Sequence, residues 1–124
     1  MIEKLMKVDC NCSLHNSQIE DIRYASGTLE LVLTSEGTDK FKVMFDWIHS
    51  FRLTDEGDLL KMQEEQNGKM LTGVYIVEKS IYLEWFTNQS AGIHDSEFIT
   101  HYLIVTSDEV VDVLSSVSPL ISVC

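Results

Sequence analysis

The chain has one proline, Pro119, in 124 residues. Its six glycines are scattered, and none lies in a phosphate-cradling loop or a dinucleotide fingerprint. Linkers rich in proline or glycine, low-complexity tracts and internal repeats are absent, so the expectation is a single globular domain over residues 1–124. There are three cysteines, Cys10, Cys12 and Cys124. An odd count does not imply a disulfide framework. No apolar run approaches the roughly 20 residues of a membrane span. The start, MIEKLMKVDCNC, is broken by Glu3, Lys4, Lys7 and Asp9 and does not read as a signal peptide. The resulting expectation is a cytoplasmic protein without a membrane partner.

Cations are scarce beside acids. Nine Lys and Arg stand against twenty Asp and Glu, a formal net charge of −11. Such a field repels phosphate backbones and anionic membrane surfaces, which argues against nucleic-acid and lipid partners. It attracts basic proteins and speeds their encounter. The excess is uneven. Residues 1–62 hold seven basic and eleven acidic residues, and residues 63–124 hold two and nine. After Lys79 there is no Lys or Arg at all. Glu84, Asp95, Glu97, Asp108, Glu109 and Asp112 therefore form the first candidate acidic surface, with Asp55, Glu56 and Asp58 second. Trp85 is the candidate aromatic anchor, provided it is exposed. A solvated acidic surface that serves only solubility is the competing reading.

What the chain does contain is alternation. In Asp21 to Thr34, Leu29, Leu31 and Leu33 share one face, and Ser26-Gly27 is a turn. In FKVMFDWIHSFRL, Phe41, Val43, Phe45, Trp47, His49, Phe51 and Leu53 lie on one parity. Thirteen residues at about 3.3 Å each are too long for one flat strand here, which predicts a bend or bulge near Ile48 to Ser50, or two strands. Residues 58–66 favour a short helix over a hairpin at Asn67-Gly68. Gly73 to Val77 reads as a strand. Ser80 to Gly92 fits a helix capped by Ser80 and closed by Gly92, or an alternating strand. Phe98 to Thr106 is a strand apolar on both faces, and Val110 to Leu114 its hairpin partner. The tail after Pro119 adds an edge strand. The fold class is α+β, a mainly antiparallel sheet with one or two helices packed on it.

No catalytic constellation stands out. Cys10, Cys12 and His15 offer two thiols and an imidazole, but a zinc site needs a fourth ligand that neither Asp9 nor Cys124 supplies without the fold's help. They are read as ordinary reduced cysteines; no metal and no cofactor is expected. His94-Asp95-Ser96-Glu97 and His101 are the candidates for a small enzyme or ligand-binding domain. No G-x-S-x-G elbow accompanies them, and His101, inside an apolar strand, reads as a hydrogen-bonded core or edge histidine. His49 reads as a half-buried imidazole.

The C-terminal third, SIYLEWFTNQSAGIHDSEFITHYLIVTSDEVVDVLSSVSP, carries a recognisable set of marks. They are Trp85-Phe86, Gln89-Ser90, Gly92, His101-Tyr102, Thr106, Asp112-Val113-Leu114 and Pro119. With Thr54-Asp55-Glu56-Gly57-Asp58 they cover about half the chain. This pattern resembles the small single-domain immunity proteins encoded beside polymorphic or contact-dependent bacterial toxins. The resemblance implies a stoichiometric inhibitor of a basic toxin domain with no catalysis of its own, and it carries over no site residues. A self-associating subunit, joined through the apolar C-terminal strand, is the third reading.

Overall fold

The leucine and phenylalanine alternation builds the centre of the molecule. The structure, a computed structural model, describes residues 3–8, 16–35, 40–55, 72–93 and 98–123. Strands β1 (Lys4–Lys7), β6 (Gly73–Glu78), β7 (Thr100–Val105), β8 (Glu109–Ser115) and β5 (Ser50–Asp55) form a five-stranded sheet in the order β1-β6-β7-β8-β5. Strands β2 (Gln18–Ala25), β3 (Thr28–Thr34), β4 (Lys40–Phe45) and β9 (Leu120–Val123) form a second sheet in that order. Every pairing is antiparallel. Helix α1 (Ile81–Gln89) is the one helix among the described residues. The expected class, antiparallel sheet with a helix, is what the chain adopts. The sheet is however not single, and the reason lies in the thirteen-residue run.

That run is two strands. β4 ends at Phe45, and β5 begins at Ser50 in the other sheet. The crossing segment is fixed by backbone bonds on both sides: Ile48 N–H donates to Gly27 O at 2.9 Å and His49 N–H to Leu114 O at 2.8 Å. Ser115 Oγ also donates to the Trp47 carbonyl. Ser26 and Gly27 both have positive φ, 52° and 89°, the turn geometry that suits a right-twisted hairpin. The Trp47 ring lies over Gly27, so a Cβ there would meet Trp47 Cε3 at 2.2 Å. Trp47, expected on the strand's apolar face, therefore sits in the crossing segment and is half exposed.

The core fills the space between the sheets. Leu29, Leu31 and Leu33 of β3 and Phe41, Val43 and Phe45 of β4 face Val74, Tyr102, Ile104, Val111 and Val113. Each such side chain contributes about 1.5–3 kcal/mol by leaving water. A second cluster, Tyr75, Val77, Leu103, Val105 and Val110, lies on the opposite face of the five-stranded sheet. β7 and β8 are thus buried on both faces, which accounts for their nearly continuous apolar runs. Strand β7 starts at Thr100, so Phe98, expected within it, lies outside and is exposed. β9 pairs with β4 at the edge of the second sheet, the place expected for the tail. The region 58–66 lies outside the described residues.

Candidate functional site

Helix α1 is nine residues long, too short to be stable alone. Its N-terminus is satisfied twice. Ser80 Oγ accepts from Leu83 N–H at 2.9 Å, the N-cap bond, and Glu3 Oε2 accepts from Ile81 N–H at 2.9 Å. Tyr82 anchors the helix to the sheet. Its ring meets the His101 ring edge-on at 5.5 Å, stacks with Trp85 at 5.9 Å and lies 4.2 Å below the Arg52 guanidinium. Its hydroxyl bonds the Ser50 hydroxyl. Burial pushes the Tyr82 phenol above its ordinary 10, and the Asp112 carboxylate adds to the rise, while the Ser50 bond and Arg52 oppose it. One turn further on, Phe86 packs against the half-buried His49 at 5.8 Å.

Beneath Tyr82 runs a buried polar chain. His101, 1% exposed, bonds Ser80 Oγ through Nδ1 at 2.6 Å and Asp112 Oδ1 through Nε2 at 2.6 Å. Asp112 Oδ2 accepts from Arg52 Nε at 2.8 Å. The tautomer with its proton on Nε2 satisfies every atom: Leu83 N–H to Ser80 Oγ, Ser80 O–H to Nδ1, Nε2–H to Asp112, and Arg52 to the second carboxylate oxygen. Serine, histidine and aspartate in this order resemble a nucleophilic triad. The resemblance is one of connectivity alone, because the imidazole is sealed and the serine oxygen already serves the helix N-terminus. The chain clamps α1 to β7 and β8.

A groove of about 520 Å³ lies on the surface above this clamp, lined by Ser50, Phe51 and Arg52 from β5 and Ile81, Tyr82 and Trp85 from α1. Ile81 and Trp85 are 55% and 52% exposed, large apolar side chains left in water at its rim. Trp85 thus meets the exposure that an anchor requires, and Glu84 beside it is exposed.

The acidic candidates separate. Asp55 and Asp108 are exposed and Glu109 is half-buried. Asp55 and Glu109 are direct register partners, so like charges oppose each other at the end of β5 and β8. That end lies about 10 Å along β5 from Arg52. Asp112 is a correction: at 2% exposure it cannot face a partner, because its position on β8 puts it inward against Arg52 and His101. Asp95, Glu97, Glu56, Asp58 and His94 lie outside the described residues, as do Cys10, Cys12, His15 and Cys124. No group of described residues could hold a metal ion. Sequence reasoning missed Ser50, Phe51, Arg52, Ile81 and Tyr82. The Arg52–Asp112 pair spans 60 positions, and only the β5–β8 register brings it together.

On the outer face of the second sheet, Arg23 pairs Asp21 at 2.9 Å, Lys40 pairs Glu20 at 3.0 Å and Lys42 lies 3.8 Å from Glu30. Arg52 is tied to Asp112. Comparison with protein-family models, curated proteins and solved structures finds no match for this chain.

Proposed function

We propose that the protein is a cytoplasmic, stoichiometric inhibitor of a basic protein, an immunity protein that neutralises a cationic, nuclease-type toxin domain. The observation that carries the reading is the groove between β5 and α1. It presents an exposed Trp85 and Ile81 beside Glu84, in a chain of net charge −11. Interfaces of this kind are held by a few buried aromatic anchors and reached quickly through charge. Asp55, Asp108 and Glu109 supply an acidic margin near that groove. A toxin that cleaves nucleic acid has a cationic substrate cleft, which an acidic surface of this sort fills.

The enzyme reading finds less support. His101 has both ring nitrogens occupied and no surface of its own, so it cannot reach a substrate without the core opening.

The test is a pull-down of the tagged chain from its native cells at low and at raised salt. The expected result is a basic protein recovered one-to-one at low salt, partly retained at high salt, and lost with Trp85→Ala. Recovery of no basic protein, or binding indifferent to salt and to Glu84→Lys with Asp108→Lys, refutes the reading.

A further inference from the structure

Among the described residues four strands lie at sheet edges, and three of them carry the usual protection against pairing with another chain. β1 is four residues long with a lysine at each end, Lys4 and Lys7. β2 has a register break between Ile19 and Asp21 and several charged residues. β9 is four residues long and follows Pro119. β5, six residues reading SFRLTD, has no lysine, no proline and no register break, and its one cation is tied down to Asp112. Among the described residues no strand pairs with its other side.

One flank of this edge is mixed and the other apolar. On one face the helix presents Ile81 and Trp85 across the groove from Ser50 and Arg52. On the other, Leu53 is 44% exposed, and Tyr24 of β2, also exposed, lies 6.1 Å from Phe51. A strand laid along β5 alternates its side chains between these two flanks.

We propose that β5 is a docking edge for an extended segment of a basic partner, which adds as a further strand of the five-stranded sheet and fills the groove beneath α1. The proposal rests on the inhibitor reading for its partner and specifies how that partner binds. Backbone pairing supplies affinity, and the two flanks supply selectivity. One parity of the segment is apolar and covers Leu53 and Tyr24. The other carries cations that meet the Trp85 ring and Glu84, where the chain's negative field favours them.

The test uses the full chain and a capped seven-residue peptide of alternating lysine and isoleucine, followed by backbone NMR. The expected result is shifted, exchange-protected amides along residues 50–54. N-methylation of the peptide on the backbone side facing β5 should weaken binding at least tenfold, and methylation on the other side should not. Leu53→Lys, which installs the missing guard at a half-exposed position, should weaken binding comparably with an unchanged circular dichroism spectrum. If that variant fails to fold, the two methylated peptides decide. Equal binding of both methylated peptides, or no response on β5 at millimolar peptide, overturns the proposal. So does a dimer of the free chain that protects the same amides, since the edge would then belong to a second copy. Peptide docking on β5 together with a pull-down empty of basic proteins would retain the docking mode and remove the inhibitor; a basic partner recovered with β5 unperturbed would do the reverse.

Discussion

Replacing Asp112 with alanine tests whether the polar chain under α1 is a structural clamp. The carboxylate is 2% exposed and serves two donors, Arg52 Nε at 2.8 Å and His101 Nε2 at 2.6 Å. The two losses differ. Arg52 is half exposed and can turn to water, so its share is about 0.5–1 kcal/mol. His101 cannot, and an orphaned buried nitrogen costs about 1–3 kcal/mol. The sum is about 1.5–4 kcal/mol, which for a domain of this size lowers Tm by about 5–16 °C. The assay is urea unfolding followed by circular dichroism, with Glu84→Ala and Asp108→Ala as surface controls expected within about 0.5 kcal/mol of the parent. A double-mutant cycle with His101→Ala should return a coupling of about 1 kcal/mol or more. If Asp112→Ala behaves like the surface controls, or if the cycle is additive, the clamp does not exist.

The other predictions concern the same frame. Ser80→Ala removes the cap of α1 and the partner of His101 Nδ1 together, and should destabilise by about 1–3 kcal/mol in the same unfolding assay. Gly27→Ala places a Cβ against Trp47 at φ 89° and should cost about 1–3 kcal/mol, with Trp47 fluorescence changed in the native state. Burial raises the phenols of Tyr75 and Tyr82, so the unfolded chain loses these protons first as pH rises past about 10. Stability should therefore fall above about pH 10 and level off only beyond the native values, and Tyr82→Phe should flatten that decline in denaturation at graded pH.

Much of the frame is local information. Alternation alone puts Leu29, Leu31 and Leu33 on one buried face, because a strand has period two whatever it packs against. Ser26-Gly27 turns and Ser80 caps for reasons contained in a few residues: one tolerates positive φ, the other carries an acceptor oxygen at the right offset. The double burial of Phe98 to Thr106 was equally visible, apart from its first two residues. The thirteen-residue run showed that it must break, and length sufficed for that.

The partner sheet of each half was not visible. That depends on Ile48 and His49 finding backbone acceptors at Gly27 and Leu114, 21 and 65 positions away. Asp112 illustrates the same limit. By composition it belongs with Asp108 and Glu109, an acid in a stretch without cations. Register then sets it opposite Arg52 and faces it to the same side as His101, so it becomes an interior ligand while its neighbours remain in water. Ser80 and His101 meet only because α1 folds back over β7. Composition and periodicity thus determined the charge, the strands and the turns of this protein. Pairing between distant segments decided which of its acids are surface and which are clamp, and which strands stand at the sheet edges among the described residues, because register and layer are properties of two segments together and are encoded in neither one alone.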